Sequence, residues 1–80
     1  MPRYFFDVHI DREVQRDDIG TELPALEDVR KAAQELLPDI ARDEIPEDGD
    51  QRAIVVLVTD ENGRPVYSAS LNYSGLWLSR

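Results

Sequence analysis

Arg52-Ala53-Ile54-Val55-Val56-Leu57-Val58-Thr59 is the stretch that decides the fold. A short apolar run rich in β-branched residues and bounded by polar turn residues reads as a strand. It is apolar at odd and even positions alike, so both of its faces need cover and it belongs in the middle of a sheet. Asp60-Glu61-Asn62-Gly63 follows, and Asn62-Gly63 supplies the positive φ values that a tight hairpin needs. Residues 65 to 71 then form the returning strand.

Working back toward the N-terminus, Ile45-Pro46-Glu47-Asp48-Gly49-Asp50 has Pro, Gly and acid without apolar periodicity, and reads as a loop, the most mobile internal segment of the chain. Before it, Leu26, Val29, Ala33, Leu36 or Leu37, and Ile40 step by three and four, which predicts an amphipathic helix. Glu27 and Asp28 sit in its first turn, where the helix dipole favours anions, and Glu27 can pair with Lys31. Pro38 interrupts this pattern. A proline in a helix interior removes a hydrogen bond and clashes with the preceding turn, so a kink is expected there, or a stop at Leu37 with a short resumption from Ala41 to Glu44.

Leu23-Pro24 ends an extended region, because a residue before proline is pushed out of the α basin. Gly20 marks a bend. Tyr4, Phe6, Val8 and Ile10 alternate with Phe5, Asp7, His9 and Asp11, the period of a half-buried strand. After a turn at Asp11-Arg12-Glu13, residues 14 to 16, or on to 18, form a short polar edge strand. The reading is an α+β fold of order β-β-α-β-β, an antiparallel four-stranded sheet with one helix packed on one face. Residues 1–80 make a single domain in which 72–80 are an apolar C-terminal tail. The sheet's second face, with Phe5 and part of the 53–59 strand, lacks a cover. Either the Trp77 segment folds over it or a second subunit does.

Composition narrows the function. Eighty residues with no cysteine exclude disulfides, thiolate metal sites and cysteine nucleophiles. A chain of this size has a thin core, and a second subunit is one of the few remaining supports. Seventeen acidic against nine basic side chains give a net charge of −8. That balance opposes phosphate neutralisation, so neither nucleic acid nor an anionic membrane is an expected partner. No signal-peptide core and no spanning segment are visible, which places the expectation in the cytoplasm.

The opening MPRYFF, the D-x-x-G-T-E-L of Asp17 to Leu23, the helix beginning Leu26-Glu27, and the V-T-D-E-N-G-R of residues 58–64 resemble a family of short alphaproteobacterial, rhizobial-type proteins catalogued as a domain of unknown function. The resemblance runs from residue 1 to about 70. It implies a small cytoplasmic α+β domain and brings no activity with it. The chain departs from the family's pattern at Asp7, where many relatives carry His, and at Ala25, where many carry an Asp or Ser helix cap. Its tail from Asn72 is also longer than usual.

Few residues suggest chemistry. Asp7, His9 and Asp11 share a strand face and are weak candidates for a divalent metal or an acid–base pair, short of a third or fourth ligand. The clusters Asp17-Asp18 with Glu22, and Glu47-Asp48 with Asp50, lack the spacing of a calcium loop and read as solvated turns. Ser68, Ser70, Ser74 and Thr59 have no nucleophile motif, and no phosphate-cradling glycine motif is present. No cofactor is expected, and the chain reads as non-enzymatic. Phe5, Tyr73 and Trp77 are the candidate interaction surface, since exposed aromatics anchor interfaces. The expectation is a small acidic protein-interaction module that forms a homodimer, its acidic rim suited to a basic protein partner. The alternatives are a ligand- or metal-binding accessory protein using Asp7, His9 and Asp11, and an antitoxin-like regulator that masks a basic protein.

Overall fold

The computed structural model describes residues 1–46 and 49–79. Its elements are β1 (Arg3–Ile10), β2 (Glu13–Gln15), β3 (Thr21–Glu22), α1 (Glu27–Glu44), β4 (Gln51–Thr59) and β5 (Pro65–Ser74). The fold is α+β, with one helix and an antiparallel sheet in the order β2-β1-β4-β5. A fifth, two-residue strand, β3, corrects the expectation of four: it pairs Arg3 with Glu22 and Tyr4 with Thr21 on the outer edge of β1. The signal is faint in sequence because two residues are too few to show a period.

The apolar stretch 52–59 lies inside the sheet as anticipated, between β1 and β5. Its Ile54, Val56 and Val58 are fully buried, facing Val29, Ala33 and Leu37 of the helix together with Tyr4, Val8 and Ile10 of β1. Those even-numbered β4 residues form the helix-side face. The odd-numbered Val55 and Leu57 turn to the other face and are half-buried.

The helix runs unbroken from Glu27 to Glu44, through Pro38. The alternative of a stop at Leu37 with a resumption at Ala41 does not occur. Pro38 lies on the solvent side, one position after the buried Leu37, so the carbonyl it leaves without a donor can face water. At the start of the helix Leu26 offers no side-chain cap. Instead the Asp28 carboxylate reaches back to the Ala25 N–H at 3.1 Å.

The β4–β5 hairpin also differs in detail from the sequence reading. Gly63 has φ +78, whereas Asn62 does not enter the positive region. Asp60 shapes the turn: its Oδ1 accepts the N–H groups of Asn62 and Arg64, both at 2.9 Å. A single left-handed glycine together with a register shift at Val58/Thr59 is the longer, bulged hairpin. Strand β5 continues to Ser74, three residues beyond the predicted end. Glu47 and Asp48 of the predicted mobile loop, and Arg80, lie outside the described residues. Among the described residues no helix is long and apolar enough to cross a membrane.

Candidate interaction surface

Residues 65 to 79 contain no charged side chain, in a chain that is 32% charged. Ten of them form β5, which is the last strand on its side of the sheet. The opposite edge is differently made. It carries only the short β2 and β3, with Glu13 and Glu22 among their five residues. Short, charged strands protect an edge from further pairing, and a long, uncharged one does not.

The backbone of β5 shows which groups are unused. The Gly75 N–H donates to Asp50 O at 2.7 Å, in the same register that pairs Ser74 with Gln51. Antiparallel pairing alternates in which direction amides face. The amides of Tyr73, Leu71 and Ala69 therefore face β4, and those of Asn72, Ser70 and Ser68 face outward from the sheet.

Beyond Ser74 the chain leaves the sheet. Leu76, Trp77 and Leu78 are 83%, 78% and 90% exposed. The expectation that the Trp77 segment folds over the open sheet face is not met: the tail projects as a continuation of the hairpin. The radius of gyration, 14.5 Å, and the long dimension of 55 Å record this extension. A compact chain of this length would have a radius of about 12 Å.

The three aromatic candidates do not form one surface. Phe5 lies on the face away from the helix, with Asp7, His9, Val55 and Leu57, by the pairing of Asp7 with Leu57 and His9 with Val55. Tyr73 pairs with Arg52, on the helix-side face, and its hydroxyl folds against Gly75. Trp77 stands beyond both. Phe5 is also half-buried, its ring edge against Gly20.

The polar candidates are likewise drawn apart by separate structural roles. Asp7 Oδ1 accepts the Asp17 N–H at 2.9 Å. Asp11, at φ +54 in the β1–β2 turn, accepts the Ala53 N–H at 3.1 Å and pairs with Arg52 at 2.8 Å. The Arg52 hydrogen bond, followed by the Ala53 N–H, holds the Asp11 carboxyl below its ordinary value. Among the described residues no three of His, Asp or Glu converge in a way that could hold a metal ion.

In the acid cluster of Asp17, Asp18 and Glu22, Asp18 and Glu22 are exposed, as a solvated turn requires, but Asp17 is the centre of a hydrogen-bonded knot. Asp17 Oδ2 accepts Phe6 N–H at 3.0 Å, and Oδ1 accepts Ile19 and Gly20 N–H at 3.1 and 3.0 Å. Arg3 completes it, donating to Ile19 O at 2.9 Å and pairing with Glu22 at 3.3 Å. Burial pushes the Asp17 carboxyl up. The backbone N–H groups of Phe6, Gly20 and Ile19, with the nearby Arg3 charge, outweigh burial and hold it below the ordinary value.

Two shallow grooves flank the helix. One, about 350 Å³, lies over β1 between Phe6, Val8, Ala32 and Leu36. The other, about 290 Å³, lies at the β5 side and is lined by Leu26, Val29, Val66 and Tyr67, with Glu27 and Arg30 at its rim. The uncharged run 65–79 was the visible sequence signal for this side of the molecule, and reading the tail for its aromatics alone passes over it. No curated protein and no solved structure matches the chain. The knot, the helix and all of the hairpin but the last two residues of β5 fall within residues 3–72, which match the family described as Domain of unknown function (DUF6894), and the chain belongs to that family.

Proposed function

We propose that this protein is a small, non-enzymatic interaction module that associates with itself. The observation that carries the reading is the Leu76-Trp77-Leu78 tail, held out from the body with its side chains in water. Three consecutive large apolar side chains are costly to expose, at about 25 cal/mol per Å² of apolar surface. Such patches mark contact sites in folded proteins, and tryptophan is enriched among the residues that anchor them. The supporting feature is the net charge of −8, which keeps copies soluble and makes association sensitive to salt. A basic protein partner would be drawn to the same surface charge.

Light scattering over a dilution series, at low and at high salt, tests this. A dimer that tightens with salt is the expected result, because screening relieves repulsion between acidic copies. A monomer at every concentration and both salts overturns the reading.

A further inference from the structure

We infer that two copies pair through their β5 edges about a two-fold axis, each placing its Trp77 tail in the other's groove beside Leu26; this rests on the self-association proposed above. Four features support it together. The β5 edge is ten residues long and uncharged, while the other edge is short and charged. The amides of Ser68, Ser70 and Asn72 point outward, each flanked by small or uncharged neighbours. The apolar tail continues directly from the same strand. A groove lined by Leu26, Val29, Val66 and Tyr67 opens at the opposite end of that strand, and Leu26 on its wall is itself exposed.

Symmetry links these features. Residues opposite one another in an antiparallel ladder share a face, so a two-fold pairing of β5 with itself has its axis perpendicular to the sheet. Both helices then lie on one side of a continuous eight-strand main sheet, counting β2-β1-β4-β5 twice. In an antiparallel pair, the chain leaving the C-terminal end of one strand passes the N-terminal end of the other. Each tail therefore runs past its partner's Val66 and Tyr67, where the groove lies. The contact is reciprocal, and both free β5 edges are consumed, so growth stops at two.

The size is adequate. Two tryptophan rings bring roughly 300 Å² out of water. The four tail leucines, the grooves that receive them and the paired backbones add to that, toward the total of about 1,200–2,000 Å² that stable interfaces bury. Charge is no obstacle at the seam itself, because the paired strands and both tails up to Ser79 are neutral.

Trp77 is the chain's sole tryptophan, so its fluorescence reports the tail without any mutation. The test follows mass by sedimentation and Trp77 emission together as the wild-type chain is diluted. The expected result is a monomer–dimer transition in which emission shifts to the red as mass falls. Ser70→Pro removes an outward amide without touching the β4 ladder, and Ser70→Lys adds a charge to the edge if the proline variant fails to fold. Each of these, and Trp77→Ala, is expected to weaken dimerisation at least tenfold with the circular dichroism spectrum retained. Leu57→Gln, on the open face, is expected to leave it unchanged. A dimer that survives Ser70→Lys and Trp77→Ala but dissociates with Leu57→Gln overturns the edge pairing while the self-association reading stands. Assembly beyond two copies overturns the two-fold arrangement. A strict wild-type monomer removes both readings at once.

Discussion

The Phe6 amide and the Asp17 carboxylate meet at 3.0 Å in the gap between two strands. The outer edge of β1 pairs with β3 at residues 3 and 4 and with β2 at residues 8 to 10. Phe6 lies between, where no strand reaches. A side chain from the connecting loop supplies the acceptor that the missing strand residue would have provided. The same carboxylate ties down the Ile19 and Gly20 amides, so one residue closes the edge and shapes the loop that leads into β3.

Asp17→Ala should therefore destabilise the fold by about 2 kcal/mol, the scale for partly buried donors losing a charged acceptor. Asp17→Asn retains one acceptor oxygen and should cost less. Urea unfolding at one fixed protein concentration, because association shifts apparent stability, gives both values. Equal midpoints for Asp17→Ala and wild type would show that the knot contributes nothing.

Gly20 separates strain from crowding. Its φ is +80, and a Cβ built there comes within 2.8 Å of Arg3 Cγ and 2.9 Å of the Phe5 ring. Gly63 has a similar φ, +78, with open space around it. Gly63→Ala should cost roughly 1 kcal/mol for the left-handed backbone alone. Gly20→Ala should cost that and more, since Arg3 must move away from its bonds to Ile19 and Glu22. Thermal unfolding of the two variants side by side should show the larger drop for Gly20→Ala, and the reverse order would refute the crowding.

These cases show what the sequence carries. The 52–59 run announced a central strand because burial on both faces leaves no polar alternation, and the structure places it between two neighbours. The helix stripe is similarly legible: Val29, Ala33 and Leu37 are the buried positions. The Asp17 knot is hidden because its partners are backbone amides, which every residue has and which leave no pattern of residue types. The separation of Phe5 from Tyr73 is also hidden, since strand register across β4 decides it and neither residue's local sequence contains that register. The unprotected β5 edge is legible, but only as a run of absent charges.

Pro38 gives a stabilising prediction. Proline in a helix interior is about 3 kcal/mol less favourable than alanine. Against this, alanine leaves the unfolded chain freer, by roughly 0.4–1 kcal/mol. Pro38 is exposed, so no packing is lost. Pro38→Ala should raise stability by about 2 kcal/mol with the helix length unchanged, read from the urea midpoint. A loss of stability would mean that the proline positions the second half of the helix over the sheet.

Acid should weaken the fold through Asp17 and Asp11, and the two can be told apart. Both carboxyls are held below their ordinary values, Asp11 chiefly by the Arg52 hydrogen bond and Asp17 by backbone amides that outweigh its burial. In the unfolded chain an aspartate titrates near pH 3.9. A lowered folded value means that the unfolded state binds more protons in the interval below that pH, so stability rises with pH there. The contribution is complete above about pH 5 and is lost as pH falls through the folded values. Melting temperature measured from pH 2 to 7 should be level at the top and fall at the acid end, and Asp17→Asn should flatten part of that fall. Salt divides the remainder. Asp11 faces an arginine at the surface, and that attraction is screened. The acceptors' partners at Asp17 are mostly fixed dipoles packed against it, which salt reaches poorly. High salt should thus flatten the acid limb of Asp17→Asn further, while in Asp11→Asn the Asp17 part should persist. An acid limb unchanged in both variants would place the pH dependence elsewhere among the 17 acidic side chains.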